Sequence, residues 1–300
     1  MRVLRTPAGR FADLPGFPYV PRFVEVADGL RMAYVEDGPP DGEPVLLLHG
    51  EPAWSFLYRK VMPVLAAAGL RAIAPDLVGF GRSDKPADRA DHSYARQVGW
   101  VHAFAFEALQ LTGVTLVGHD WGGLIGLRLV AEHPHRFTRV VATNTGLPTG
   151  AQPMPDGWLR FREVVRTTPT LDVSRLVAAG CRTPLAAEVL AAYDAPFPDE
   201  TFKAGPRAMP DLVPTSLDDP ASAANMSAWQ RLSTLDIPFL VAFSDGDPIT
   251  GPMAPVLRSA VPGAARVAHP TIAGAGHFLQ EDAGGQLAEA IVAFVLNHPG

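Results

Sequence analysis

An aspartate stands at the centre of a tight strand-to-helix turn near the middle of this chain. The apolar run 114–117 leads into Gly-His-Asp-Trp-Gly at 118–122, with Asp120 in the centre, and a helical pattern follows over 124–132. Glycines on both sides permit the sharp backbone of a nucleophile elbow, in which serine hydrolases carry a serine. A carboxylate that attacked an ester would form a high-energy anhydride, whereas at a saturated carbon it forms a stable ester. The turn therefore predicts nucleophilic displacement at saturated carbon by Asp120.

Three further loops carry polar side chains directly after predicted strands. They are His-Gly-Glu-Pro at 49–52, Ser-Asp-Gly-Asp at 244–247 and Ala-Gly-His-Phe at 275–278. Ligands of open α/β sheets bind beyond the carboxyl ends of the strands, so we expect these loops to converge on Asp120. They supply oxyanion donors near Glu51, an orienting acid at Asp247 and a base at His277. The chain order of nucleophile, acid and histidine is the one found in α/β-hydrolases.

Each of these residues also has an ordinary structural interpretation. Asp120 alone could cap the helix that follows it, and His277 alone could be a core or surface histidine. Their joint occurrence with the other loops favours catalysis. At the acid position we expect Asp247, which lies deeper in its loop, to reach His277, and Asp245 to cap the neighbouring turn. His119 should point away from the nucleophile and make a structural hydrogen bond.

The composition excludes several function classes. The chain has 300 residues, 47% of them hydrophobic, and its 25 basic and 31 acidic residues give a net charge of −6. This balance gives no footprint for nucleic acid, and the longest apolar windows are interrupted by charge, Gly or Pro, so we expect no membrane span. The N-terminus lacks an apolar signal core, which favours a cytoplasmic enzyme. A single cysteine excludes an internal disulfide and a cysteine metal cluster, and His133 and His135 lack a third ligand, so we expect no metal.

Short apolar runs alternate with helical patterns, which is typical of a mainly parallel sheet covered on both faces. The predicted strands are 23–26, 31–36, 45–48, 72–75, 114–118, 140–144, 239–243 and 266–271, the first two forming a hairpin around Asp28-Gly29. The predicted helices are 54–68, 94–111, 124–132, 185–193, 252–260 and 286–296. Strand patterns disappear after about residue 147 and Ala-rich helical segments replace them. We therefore expect a core domain over 1–147 and 230–300, with a helical cap, or lid, at 148–229.

At these residues the sequence resembles the haloalkane dehalogenases of the α/β-hydrolase fold, and the resemblance covers nearly the whole chain. It is carried by His-Gly-Glu-Pro-Ala-Trp-Ser at 49–55, Ala-Pro-Asp-Leu-Val-Gly-Phe-Gly-Arg-Ser at 74–83, the elbow at 118–123, Tyr-Asp-Ala-Pro-Phe-Pro-Asp at 193–199 and Gly-His-Phe-Leu-Gln-Glu at 276–281. Glu51 resembles the branch with Glu after His-Gly. The resemblance implies an eight-stranded, mostly parallel sheet flanked by helices with an inserted helical cap. It also implies that the enzyme needs no cofactor.

The resemblance further implies a two-step hydrolysis of a small apolar haloalkane to a primary alcohol, halide and a proton. Asp120 would displace the halide and form an alkyl ester, and His277, oriented by Asp247, would activate the water that hydrolyses it. Backbone N–H groups of Glu51 and Trp121 would form the oxyanion hole. No nucleic-acid or membrane partner is implied, and we expect a monomer.

Halide leaves as a weakly basic anion and needs N–H donors in an apolar pocket. Trp121 supplies one indole N–H, a donor with no acceptor capacity. The family places a second tryptophan near the start of the cap, for which Trp158 is the candidate. By spacing, however, that position corresponds to Phe161, which cannot donate a hydrogen bond. Trp158 could replace it from the neighbouring turn, or it could serve only in cap packing.

The alternative function is that of an epoxide hydrolase, which shares the core motifs and the Asp nucleophile. An epoxide leaves as an alkoxide and needs an acid, which epoxide hydrolases provide with two tyrosines of the lid. Of the five tyrosines in this chain only Tyr193 falls in the predicted cap, and this favours the halide interpretation. A fluoroacetate-type dehalogenase would carry Arg in place of Trp121. A non-enzymatic protein of the same fold would lack a member of the triad, and none is missing.

Overall fold

A seven-stranded sheet runs through the computed structural model, which describes residues 1–300. Its strands are β1 (Arg22–Val26), β2 (Leu30–Asp37), β3 (Pro44–Leu48), β4 (Arg71–Pro75), β5 (Val114–His119), β6 (Phe137–Thr143) and β7 (Phe239–Val241). They are ordered β1-β2-β4-β3-β5-β6-β7, and only β2 runs antiparallel to its neighbours. The mostly parallel α/β sheet is confirmed, as is the hairpin around Asp28 and Gly29, both of which have a positive φ.

The predicted eighth strand at 266–271 is wrong. Only one isolated bridge forms beside β7, between Ser244 and Ile272. The outward N–H of Val241, which a neighbouring strand would use, is bound instead by the Nδ1 atom of His269 at 3.1 Å. Pro270 has no N–H to offer a ladder. A side chain therefore covers this edge of the sheet in place of a strand.

Ten α-helices accompany the sheet. They are α1 (Met62–Ala67), α2 (Tyr94–His102), α3 (Trp121–Glu132), α4 (Asp156–Thr167), α5 (Val173–Ala179), α6 (Ala187–Asp194), α7 (Ala204–Leu212), α8 (Ser222–Leu232), α9 (Met253–Ala260) and α10 (Leu279–Asn297). None of these helices combines the length with the apolar composition that crossing a bilayer requires.

Some predicted helix bounds differ from those in the structure. The helix predicted at 54–68 divides into a 3₁₀ turn at Ser55–Tyr58 and α1, because Pro63 fits only the first turn of an α-helix. The helix predicted at 94–111 changes from α2 to a π-helical segment at Ala103–Ala108. The last helix begins at Leu279 rather than at residue 286 and is kinked at Ala283.

The alternation of side chains along the central strands divides the core into two layers. Leu46 and Leu48 of β3 pack in one hydrophobic cluster with residues of α2, α3 and α8, whereas Val45 and Leu47 pack in the other with residues of α1 and α10. This alternation follows from the two-residue period of a strand. Both faces of the sheet are thus buried, and its carboxyl-end loops are held between two layers of helices.

Five helices, α4 to α8, lie between β6 and β7, where the sequence predicts a helical insertion. No strand interrupts them, and α8 packs against α3, the helix that follows Asp120. The cap boundaries of 148 and 229 stay a prediction.

Candidate active site

Asp120 lies at a strained turn between β5 and α3. Its backbone has φ 49° and ψ −122°, a left-handed conformation that costs about 1–3 kcal/mol for a residue other than glycine. The flanking glycines allow the close approach: a Cβ at Gly122 would lie 2.0 Å from the carbonyl oxygen of Leu48. Although Asp120 occupies the N-cap position, its side chain makes no capping hydrogen bond. The carboxylate is therefore free to point away from the helix.

His277 and Asp247 form a hydrogen-bonded pair beside this carboxylate. The Nδ1 atom of His277 lies 2.7 Å from Oδ2 of Asp247, and its Nε2 atom lies 3.7 Å from Oδ2 of Asp120. The Asp247 side chain is fully buried and also accepts the N–H of Ile249 at 2.9 Å and the hydroxyl of Thr250. With one nitrogen held by Asp247, the other nitrogen of His277 faces the side chain of Asp120.

The charges of these groups shift one another's pKa values. Burial raises the pKa of Asp247, but the hydrogen bond and charge of His277 outweigh it and leave that pKa well below its usual range. Burial lowers the pKa of His277, while Asp247 and Asp120 raise it, so the net shift is upward. Burial raises the pKa of Asp120 despite the charge of His277 and the N–H groups of Trp121 and Glu51. The negative charges of Asp247 and Asp120 thus both favour the protonated form of the His277 imidazole.

Asp245, the other acidic residue of this loop, does not contact His277. Its carboxylate accepts the N–H of Gly274 at 3.0 Å on the surface of the protein. We expected it to cap the turn within its own loop, and it stabilises the loop that carries His277 instead.

Glu51 contributes both its backbone and its side chain to the site. Its N–H donates to Oδ1 of Asp120 at 2.9 Å. The residue is 5% exposed, and the buried Oε1 atom of its carboxyl has no hydrogen-bond partner. Burial, followed by the charge of Asp120, raises the pKa of Glu51 well above its usual range. Gly50 leaves room for this arrangement, since a Cβ there would lie 2.2 Å from Oδ1 of Asp120.

Asn144 joins the loops of the site, and the sequence analysis did not single it out. Its Nδ2 atom lies 2.9 Å from Oγ of Ser244, 3.0 Å from the carbonyl oxygen of Gly276 and 2.9 Å from that of His277. Its own carbonyl oxygen accepts the N–H of Asp120 at 3.2 Å. An asparagine at the carboxyl end of the strand next to the elbow was the available signal, because such positions line the site of an α/β sheet.

His119 has the structural hydrogen bond that the sequence predicts. Its Nε2 atom lies 2.9 Å from the carbonyl oxygen of His277. Burial, followed by the charge of His277, lowers the pKa of His119 to about 3, so it is neutral near pH 7 and donates this bond. Across the protein, no three His, Cys, Asp or Glu side chains are spaced to hold a metal ion.

A cavity of about 510 Å³ opens above the Asp120 carboxylate, between the core and helices α4 to α8. Asp120, His277 and Glu51 lie on its floor. The remaining lining is largely apolar and includes Leu124, Leu147, Phe161, Val213, Met253 and Phe278. A pocket of this size and polarity suits a small apolar molecule.

The five tryptophans divide into two groups by the partners of their indole N–H. Trp54, Trp100 and Trp229 donate to protein oxygens at distances between 2.8 and 3.1 Å. Trp121 and Trp158 both line the cavity, and neither has a protein acceptor. Phe161, which stands where spacing places the family's second tryptophan, lines the same cavity as Trp158. Two indole donors are thus available to an anion there.

Comparison with known proteins agrees with this fold. A model of the alpha/beta hydrolase fold matches residues 43–284 and defines the class of protein. Haloalkane dehalogenase of Psychrobacter cryohalolentis is 48% identical over the whole of both chains, and haloalkane dehalogenase 1 of Mycobacterium tuberculosis is 50% identical over 98% of this chain and 99% of its own. The tetrameric haloalkane dehalogenase of Paraglaciecola agarilytica superposes with a TM-score of 0.88 at 34% identity, covering 96% of this chain and 97% of its own. The chain belongs to the haloalkane dehalogenase family.

Proposed function

We propose that this protein hydrolyses haloalkanes to a primary alcohol, a halide ion and a proton. One observation carries the proposal: Trp121 and Trp158 both line the apolar cavity over Asp120, and neither donates its indole N–H to a protein atom. Halide is an anion that accepts such bonds and leaves without a proton, so the site requires no acid at the leaving group.

In the first step an oxygen of the Asp120 carboxylate attacks the substrate carbon from the side opposite the halogen. The carbon–halogen bond breaks with its electron pair on the halide, and an alkyl ester forms. Trp121 and Trp158 donate hydrogen bonds to the departing halide, from the core side and from the cap side of the cavity. Since the pKa of Asp120 is raised by burial, this carboxylate is a better nucleophile than an exposed one.

In the second step His277 takes a proton from water, whose oxygen adds to the carboxyl carbon of the ester. The N–H groups of Glu51 and Trp121 hold the oxyanion. When this intermediate collapses, the bond between the carboxyl carbon and the alkyl oxygen breaks, and that oxygen takes the proton from His277 and leaves as the alcohol. The regenerated carboxyl of Asp120 loses its proton to solvent. Formation of the ester removes the negative charge of Asp120, one of the charges that raise the pKa of His277. Alkylation thereby favours the neutral imidazole that the second step needs, while Asp247 keeps it oriented and stabilises its charged form.

The buried carboxyl of Glu51 is suited to holding that water. Burial favours its protonated form by raising its pKa, and a protonated carboxyl can donate one hydrogen bond and accept another. The unpartnered Oε1 atom supports this assignment.

The structure disfavours the epoxide alternative. Tyr193 of α6 is fully buried and its hydroxyl donates to Glu281 rather than into the cavity. No tyrosine lines the cavity, so the site lacks the acid that an alkoxide leaving group needs.

The test is halide release from a panel of chloro-, bromo- and iodoalkanes, with a simple epoxide assayed beside them. We expect halide and acid from the haloalkanes and no diol from the epoxide. In a single turnover in ¹⁸O-labelled water the label should enter Asp120 and not the alcohol, because the alcohol carries away an oxygen of the carboxylate. Label in the first-formed alcohol would show direct attack by water and refute the ester mechanism. Asp120→Asn is the matched inactive control.

We also propose that the protein acts as a monomer, since one chain holds Asp120, His277 and Asp247 together. Light scattering on the purified protein tests this, and a tetramer like that described for the Paraglaciecola agarilytica enzyme would contradict it.

A further inference from the structure

Arg128 is a buried cation on the nucleophile helix that the proposed reaction does not use. It lies seven residues after Trp121 in α3, which places the two side chains on the same face of the helix, about 10 Å apart along its axis. The ring of Tyr94 lies between them: its centroid is 5.0 Å from that of Trp121 and 5.7 Å from the guanidinium carbon of Arg128. The cation therefore supports Tyr94 from one side while Tyr94 contacts the indole on the other.

The same guanidinium reaches across to helix α8. Its Nη1 atom donates to Oδ1 of Asn225 at 3.1 Å, and its Nε and Nη2 atoms donate to Glu132 at 2.8 and 2.6 Å. Asn225 is completely buried and Arg128 is 8% exposed. Buried polar groups of this kind are costly unless each donor is satisfied, so the Arg128–Asn225 contact is a strong constraint on the packing of α8 against α3.

Helix α8 in turn holds the segment at which the chain leaves the core sheet. The Nδ2 atom of Asn225 donates to the carbonyl oxygen of Pro148 at 2.6 Å. One turn later, the indole N–H of Trp229 donates to the carbonyl oxygen of Leu147 at 2.8 Å. Residues 147–148, which we term the hinge segment, also line the cavity. They lead to α4, which carries Trp158.

We propose that Arg128 and Asn225 are positioning residues, which fix the hinge segment against α3 and so fix the separation of Trp121 and Trp158. This inference rests on the proposed function, because it assigns the two indoles to one halide. Each link is a contact in the structure: Trp121 packs on Tyr94, Tyr94 packs against Arg128, Arg128 binds Asn225, and Asn225 binds the hinge segment. An anion held by one donor from the core and one from the cap depends on that spacing.

The test compares bromide binding in the full-length protein and in variants, followed by quenching of tryptophan fluorescence. Asn225→Asp keeps the oxygen that accepts from Arg128 but removes the N–H that holds Pro148. Arg128→Met keeps most of the apolar stem and removes the charge. Ser227→Ala, at an exposed position of the same helix, is the matched control. Trp229→Phe, which removes the hydrogen bond to Leu147 and leaves an aromatic ring at this position of the cavity lining, is the second hinge variant, to be used where the first two fail to fold.

We expect the dissociation constant of bromide to rise about tenfold in Asn225→Asp and in Arg128→Met, the effect of misplacing one hydrogen bond to an anion. The KM for a bromoalkane should rise with it. The pH dependence of ester hydrolysis, which reports on His277, should stay unchanged, and Ser227→Ala should behave as the wild type.

Three results would overturn the inference. Folded variants that bind bromide within twofold of the wild type refute the positioning role alone, whereas a wild-type protein that neither releases nor binds bromide refutes the proposed function as well. A variant with altered pH dependence and unaltered bromide affinity would place the effect at His277 and also contradict the proposal.

Discussion

Replacement of His277 by glutamine separates the two proposed chemical steps. The first step needs no proton transfer, so Asp120 should still displace halide, whereas the second step loses its base. In the structure the Nε2 atom of His277 lies 3.7 Å from Oδ2 of Asp120, and no other base in the cavity has this position. We therefore expect His277→Gln to release one equivalent of halide per protein molecule and then to stop.

The size of the effect follows from the contribution of a positioned general base, which is about 10²–10⁴-fold. With a wild-type turnover of about 10 s⁻¹, typical of enzymes, the ester on Asp120 would hydrolyse at about 10⁻¹–10⁻³ s⁻¹. Its half-life would then be about 7 s to about 10 min, long enough for acid quenching and mass spectrometry.

Loss of His277 also affects the first step through charge. The charge of His277 opposes the effect of burial on Asp120, so the pKa of Asp120 should be higher still in the variant. The burst is therefore best measured at alkaline pH, where the carboxylate is ionised. Peptide mapping should locate one alkyl group on Asp120.

The control is Asp120→Asn in the same assay, which should give neither burst nor adduct. Repeated turnover by His277→Gln near the wild-type rate would refute the assignment of His277 as the base. A stoichiometric burst without an adduct on Asp120 would refute covalent catalysis.

Three further predictions concern the anion site, the floor of the cavity and the pH profile. Trp121→Phe and Trp158→Phe should each slow halide displacement about 10–100-fold, because each removes a hydrogen bond to an anion. Rapid-quench measurements of Asp120 alkylation test both variants. An unchanged alkylation rate in Trp158→Phe would show that this residue serves in packing. Gly50→Ala should abolish halide release, measured by ion chromatography, because its Cβ would lie 2.2 Å from Oδ1 of the nucleophile; retained activity would contradict the carboxylate position. Ester hydrolysis should increase with pH because it needs the neutral form of His277. Its midpoint should lie below that of His277 in the free enzyme, where Asp247 and Asp120 together raise the pKa above the ordinary histidine value of about 6.5. In single-turnover measurements, Asp247→Asn should lower this midpoint as well as the rate, and an unchanged midpoint would argue against the charge of Asp247 as the cause.

The local sequence was sufficient to predict the order of most elements. Short apolar runs predicted all seven strands of the sheet within three residues of their observed bounds, and Asp28-Gly29 predicted the hairpin, because these signals depend on neighbouring residues alone. The predicted strand at 266–271 failed for the opposite reason. A strand at the edge of the sheet forms only if no other group takes the hydrogen-bonding atoms of the neighbouring strand. Here the His269 side chain binds the N–H of Val241 in β7.

The candidate site shows the same division. The sequence by itself determined the chemistry, because residue types and spacing are enough to identify its main groups. These are the carboxylate of Asp120 in a glycine-flanked turn, His277 near the end of the core domain and the indole of Trp121 beside the nucleophile. It favoured Asp247 over Asp245 from its depth in the loop, but only the fold brings Asp247 to 2.7 Å from His277.

Tertiary structure alone also decided the contacts across the sheet and between core and cap. Asn144 binds loops more than 100 residues away along the chain, and Arg128 meets Asn225 only because α8 packs on α3. Such contacts depend on how layers of helices close over the sheet, and no local pattern encodes them. Residue types therefore established which reaction this chain is built for, while the packing of the cap over the core brought its two free indoles to one cavity.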